Sequence, residues 1–221
     1  MSALVLVAAS DSRPKRLAEF RAGARTIATL WGEGTRLVAV SSGAQICDAI
    51  VEHPGLCRLA ICCHGWPDRI LARGRGVQVD RHAPPGTVSV EHLAREIVSV
   101  AAPSIHVALA CCSAAADPGL ERWMPGGGSY GPGGAESLAA YLYRWLARER
   151  AATVIGHAAA GHTTRCPALR RWRARHLGES LLDAQLGPGA YQVRARRSEW
   201  VAWCRETVGT VQRSELLLAG L

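Results

Sequence analysis

The chain reads as an α/β protein with a mostly parallel sheet flanked by helices, and three observations lead there. Short apolar runs at residues 3–9, 57–63, 105–111 and 152–155 lack the strict alternation of half-exposed strands, which is the pattern of strands buried on both faces. Segments with helical spacing separate them. Each run stops at a polar or glycine-containing turn, so strand and helix alternate over the first 158 residues, as in sheets built from parallel crossovers.

Taken in order, residues 3–9 end in Ser10-Asp11-Ser12, and Pro14 opens a helix to about Leu30. In it Leu17, Phe20, Ala24 and Ile27 fall on one face. Gly32 and Gly34 punctuate before a second strand, residues 35–40. Ser41-Ser42-Gly43 turns into a helix through about Glu52, stopped by His53-Pro54-Gly55. The third strand, residues 57–63, runs into His64-Gly65. Residues 70–72 and 77–79 flank Arg73-Gly74-Arg75-Gly76 as a small hairpin, and Ala83-Pro84-Pro85-Gly86 is a loop. Ser89 is the expected N-cap of a helix to about Val100. Strand 105–111 follows, ending in Cys111-Cys112-Ser113.

Residues 117–134 hold seven glycines and three prolines, so they are expected to form a long loop without regular structure. Residues 136–150 are an amphipathic helix with Leu138, Tyr141, Leu142, Trp145 and Leu146 on one face. A fifth strand, 152–155, leads into Gly156-His157. Beyond it a helix is expected over 168–182, an extended piece over 191–195 and helices to the end. No repeat is visible, and the 221 residues read as a single domain, with a core at 3–158 and a C-terminal, mainly helical part at 159–221.

Hydrophobic content of 48% and a charged fraction of 20% are those of a globular protein. The net charge of +8 comes almost wholly from arginine, since Lys15 is the only lysine. With many Ala and Gly residues, this usage points to a GC-rich genome rather than a selected basic surface. Nucleic acid is therefore not the expected partner, although arginines do cluster at 165–175 and 194–197. The eight cysteines include two adjacent pairs and no C-x-x-C. Neighbouring residues on a strand point to opposite faces, so a disulfide framework is not expected. The first apolar run lacks the basic flank of a signal peptide, and no run approaches the roughly 18 residues of a membrane span. A reducing cytoplasm is the expected compartment.

Residues 64 and 112 lie 48 positions apart, each at the carboxyl end of an apolar run. Chemistry in open α/β sheets sits just outside those ends. A strand-end thiol can act as an exposed nucleophile, a nearby histidine can donate the proton that a leaving amine needs, and backbone N–H groups can hold an oxyanion. A glycine directly after the histidine permits close approach to that backbone. Cys47, Cys57, Cys62 and Cys111 read as core, as does His106 in mid-strand. A metal centre is the rival chemistry, drawing on Cys62 or Cys63, His64, Cys111 or Cys112, His157 and His162, but no spacing here is that of a structural zinc site. No metal and no cofactor are expected.

Leu59-Ala60-Ile61-Cys62-Cys63-His64-Gly65 and Val107-Ala108-Leu109-Ala110-Cys111-Cys112-Ser113, with the element order around them, resemble the caspase-like clan of cysteine peptidases. That clan includes caspases, metacaspases, legumain, gingipain, separase and the bacterial CHAT proteins, and the separation of about 50 residues between His and Cys is that of caspases. The helix at 136–150 makes the layout more similar to CHAT proteins. The resemblance implies a caspase-like three-layer sandwich and a cysteine endopeptidase with no cofactor. In it Cys112 would be the nucleophile, His64 the acid/base, and the backbone N–H groups of Gly65 and Cys112 the oxyanion donors. Cys111 fills the position where the clan usually has Ala. There is no Gln-Ala-Cys-x-Gly, and Ala114-Ala115 stands in place of the usual glycine, so fine specificity does not carry over.

The clan's residue after the first strand helps line the pocket for the side chain preceding the cut. Asp11 at that place implies a basic side chain, with Arg13 and an acidic one as the alternative; Asp11 equally reads as a helix N-cap before Pro14. His162 and Thr163 are candidates for substrate contact or for orienting the dyad, and Arg122 is a candidate processing site beside the glycine-rich loop. The implied partners are a protein or peptide substrate and an activating or regulatory protein, in regulated proteolysis such as bacterial defence or cell death. The alternative is a non-catalytic α/β scaffold whose basic C-terminal region binds a protein or nucleic acid.

Overall fold

The computed structural model describes residues 2–71, 79–116, 122–124, 128–130, 136–157, 169–173 and 182–186. Its elements in chain order begin with β1 (Ser2–Ala8), α1 (Pro14–Trp31), β2 (Thr35–Val40), α2 (Gly43–Val51) and β3 (Leu56–Trp66). Three short strands follow, β4 (Arg69–Leu71), β5 (Val79–Asp80) and β6 (Val88–Ser89), then α3 (Val90–Val100) and β7 (Ala101–Cys111). After β8 (Arg122–Met124) and β9 (Gly128–Tyr130) come α4 (Leu138–Leu146), β10 (Ala151–His157), β11 (Leu169–Arg173) and β12 (Leu182–Leu186).

The main sheet has the order β2-β1-β3-β7-β10-β11-β12. Its first five strands are parallel, and β11 and β12 each join antiparallel to the preceding strand. The expected mostly parallel sheet flanked by helices is the architecture observed. Strands β1, β3, β7 and β10 are buried almost throughout, which explains their unalternating apolar sequences. Among the described residues strand β2 pairs only with β1, and it is largely exposed, Leu37 included, as suits an edge.

Handedness sets where the helices go. From β1 the chain steps one way to β2 and afterwards the other way to β3, β7 and β10. Right-handed crossovers made in opposite directions lie on opposite faces. Accordingly α1 packs on β1, β2 and β3, while α2, α3 and α4 pack one against the next. Helix α1 buries Phe20, Gly23, Ala24, Ile27 and Trp31, whose spacing keeps them on one face. Each large apolar side chain buried this way contributes roughly 1.5–3 kcal/mol. Ser42, Ser89 and Ser137 cap α2, α3 and α4 by accepting from the N–H groups of Gln45, His92 and Ala140.

Four sequence expectations are corrected. Strand β3 does not end at Cys63. At His64 it leaves β7 and pairs antiparallel with β4 across the turn Pro67-Asp68, joining His64 to Leu71, Gly65 to Ile70 and Trp66 to Arg69. The expected hairpin survives as the Ile70–Val79 and Arg69–Asp80 pairs, with residues 72–78 outside the described part. The glycine-rich stretch is not without regular structure, because β8 and β9 pair antiparallel. There Trp123 and Tyr130 favour strands where the surrounding glycines and prolines do not.

In place of a helix over 168–182, residues 169–173 are strand β11 and Leu182 begins β12. Leu169 and Trp172, three apart, fit a helix by spacing, but the free edge of β10 carries backbone groups that need partners. Pairing with β11 supplies them and buries Trp172. Finally, Arg13 rather than Asp11 occupies the cap position of α1. The extended piece at 191–195 and the helices expected after it lie outside the described residues.

Candidate active site

The parallel pairings among β1, β3 and β7 stop side by side. The chain's direction of winding reverses between β1 and β3, and the crevice at such a reversal, outside the carboxyl ends of the strands, is where doubly wound sheets hold ligands. Strands β3 and β7 pair in register through Cys62–Ala110 and Cys63–Cys111. The next residue on each strand is His64 and Cys112.

Cys112 is the first residue beyond β7, in a turn that runs to Ala115. Of the six described cysteines, Cys112 is partly exposed and the other five are buried. Ser113 has φ +54°, a left-handed conformation that costs a residue other than glycine about 1–2 kcal/mol. Its neighbours hold the turn in place. The Ala115 N–H donates to the His157 carbonyl at 2.8 Å, the Ala139 N–H to the Ala114 carbonyl at 2.8 Å, and the Ala116 N–H to the Ser113 carbonyl at 2.9 Å. Ala114 and Ala115 are fully buried, and a Cβ on Gly156 would stand 3.2 Å from that of Ala115. These small residues therefore fit a tight joint between the turn, β10 and α4.

Gly65 touches the same backbone. A Cβ there would lie 2.5 Å from the Cys111 Cβ and 2.8 Å from the Cys112 carbonyl oxygen. The close approach that this glycine permits is that of the β7 end itself.

His64 lies between Asp11 and Phe20. Its Nε2 is 2.5 Å from Asp11 Oδ2, and its ring meets the Phe20 ring edge-on at a centroid separation of 4.9 Å. Asp11 follows β1, and its side chain is only 1% exposed. Its other oxygen, Oδ1, accepts from the Arg13 N–H at 2.7 Å. Phe20 comes from α1, whose loop to β1 is tied by Arg21 donating to the Ala9 carbonyl at 3.0 Å. Trp66, two residues beyond His64 and on the same side of the strand, is 57% exposed.

The buried thiols behave as core. Cys63 and Cys111 Sγ atoms are 3.5 Å apart, and Cys111 also donates to the Ile61 carbonyl at 3.3 Å. Burial first, and the hydrogen bond with Cys111 second, push the Cys63 thiol well above its ordinary range, while burial pushes Cys47 up to about 11. Cys57 donates to the Ser2 carbonyl, and Cys62 is fully buried. His106 is buried in β7 and His157 at the end of β10. Among the described residues, no three His, Cys, Asp or Glu side chains gather as metal ligands would. No described helix is long and apolar enough to cross a membrane.

Of the other sequence candidates, Arg122 begins β8, whereas His162 and Thr163 lie outside the described residues. The Asp11–His64 contact was not foreseen from the sequence, although its signal was there: the residue just past β1 must come near the end of β3 if the two strands are parallel neighbours. What stood open was which strands those would be.

No protein-family model matches the chain, and no curated protein matches it. Among solved structures, a secreted C11 cysteine protease from Bacteroides thetaiotaomicron, in complex with an irreversible peptide inhibitor, aligns at a TM-score of 0.38 with 9% identity. The alignment covers 71% of this chain and 48% of that one, so this chain spans about half the length of the protease it matches.

Proposed function

We propose that the chain is a cysteine peptidase acting on a protein or peptide substrate. The β3–β7 register carries the reading, because it makes His64 and Cys112 the next residues after the point where the two strands stop pairing. In the proposed reaction His64 takes the Cys112 thiol proton as the sulfur attacks the carbonyl carbon of the peptide bond. The backbone N–H groups of Gly65 and Cys112 hold the resulting oxyanion, and His64 delivers a proton to the amine as the C–N bond breaks. Water then attacks the thioester with His64 as base, which releases the acid and restores the thiol. The partial exposure of Cys112, set against five buried neighbours, supports its choice over Cys111. The resemblance to the caspase-like clan supports the same roles.

Each Asp11 oxygen has one hydrogen-bond contact, and a preference for cutting after a basic residue belongs to the proposal through the family resemblance alone. An activating partner and a role in regulated proteolysis belong to the proposal through the family resemblance alone. The test is to incubate the purified chain with a peptide mixture of varied sequence and map the cuts by mass spectrometry. Cys112→Ala, Cys111→Ala and His64→Ala variants and a chelator control run alongside. Cleavage should vanish in the Cys112 and His64 variants and persist in Cys111→Ala and with chelator. Loss in Cys111→Ala alone would reassign the nucleophile, and cleavage by every variant would end the proposal.

A further inference from the structure

We infer that Asp11 is a positioning residue that fixes which nitrogen of His64 carries the proton. The inference deepens the peptidase reading and rests on it for the role of His64. Two N–H donors converge on one buried carboxylate: the Arg13 backbone N–H on Oδ1 at 2.7 Å and His64 Nε2 on Oδ2 at 2.5 Å. The carboxylate is acceptor-only, so Nε2 must carry hydrogen, and in the neutral ring Nδ1 becomes the basic nitrogen. The protonated ring formed during turnover would face the Asp11 charge in a site where that side chain is 1% exposed, so water screens it little.

Geometry on both sides keeps this contact from being incidental. Asp11 is pinned by its turn onto Arg13, the β1–α1 loop is pinned by Arg21 on the Ala9 carbonyl, and the His64 ring is held edge-on by Phe20. The contact also lies at the winding reversal between β1 and β3.

The isosteric substitution Asp11→Asn is the discriminating test. An amide offers an oxygen at one of the two positions, so it cannot accept at both the Arg13 and the His64 contacts. If the oxygen stays on the local Arg13 N–H, the NH₂ faces Nε2 and forces hydrogen onto Nδ1. Long-range ¹H–¹⁵N NMR of the imidazole, assigned by the resonance lost in His64→Ala, reads the tautomer directly and needs no substrate. The expected result is Nε2–H in the wild type and Nδ1–H in Asp11→Asn. The Cys112 alkylation rate at neutral pH should fall in Asp11→Asn and His64→Ala alike. On any peptide that the wild type cuts, Asp11→Asn should lower kcat by about 10²-fold or more, with KM nearly unchanged. An Nδ1–H wild type, or a tautomer and alkylation rate indifferent to Asp11→Asn in a folded variant, overturns the assignment. If the wild type cuts no peptide while the tautomer switches as expected, the peptidase reading fails and the positioning of His64 by Asp11 stands.

Discussion

Gly65 and Cys111 are packed so closely that a methyl group on the glycine would stand 2.5 Å from the cysteine's Cβ. The obstacle is backbone-anchored: the Cys112 carbonyl oxygen is 2.8 Å away and the Cys111 carbonyl carbon 3.2 Å. No side-chain rotation relieves it, so β3 and β7 must separate where both carry candidate site residues.

Gly65→Ala is therefore expected to destabilise the fold by at least the roughly 1–3 kcal/mol of core overpacking, about 2–4 °C in Tm for each kcal/mol. Gly156→Ala, whose Cβ would meet two alanine methyls at 3.2 and 3.4 Å, should cost less. Thermal melts of the two variants check this, and a Gly65→Ala melt within a degree of wild type would refute the packing argument.

Native-state alkylation should single out Cys112 among Cys47, Cys57, Cys62, Cys63, Cys111 and Cys112. The other five are buried, and burial holds the Cys63 and Cys47 thiols protonated well into the alkaline range. Brief iodoacetamide treatment near pH 8 followed by peptide mapping measures the order. Earlier labelling of Cys111 or Cys63 would contradict it.

Cys111→Ala should leave Cys112 reactive while costing about 1–2 kcal/mol, since it removes a buried sulfur that packs on Cys63 and donates to the Ile61 carbonyl. Urea midpoints measure the cost and the alkylation assay the reactivity. A Cys111→Ala protein as stable as wild type but inert at Cys112 would reverse the roles given to the two thiols.

Acid should weaken the segment beside the site through Asp68. Its hydrogen bonds to the Arg69 guanidinium, both 2.7 Å, hold the carboxyl below its ordinary 3.8. A folded-state value below the unfolded one gives stability that is present above pH 3.8 and lost as the pH falls through the folded value. For a partly exposed pair this is worth about 1 kcal/mol at most. Asp68→Asn should thus cost stability at pH 7 and little at pH 2. Equal losses in urea melts at both pH values would show that the ion pair contributes nothing.

Much of the fold was legible because its central strands are buried on both faces and its helices on one. Those two apolar patterns differ in the sequence, and the starts of α1, α2 and α3 were further marked by Pro14, Ser42 and Ser89. Where spacing was ambiguous, tertiary pairing overrode it. Leu169 and Trp172 are three apart in a helix-like pattern, yet the open edge of β10 draws them into β11. The turn of β3 from β7 to β4 after Cys63 had no sequence marker beyond Pro67-Asp68.

By itself the sequence determined that apolar runs stop at His64-Gly65 and at Cys111-Cys112, because apolar runs and the polar residues that stop them are local properties. Only the tertiary structure decided what meets at those ends. Strand order, and the direction in which the winding reverses, put Asp11, three residues past β1, beside the residue that follows β3's parallel pairing, and so joined Asp11 to His64 across 53 positions of chain. Sequence spacing alone did not fix that contact, since it depends on which strands become neighbours. That choice is made by the burial of all their faces at once.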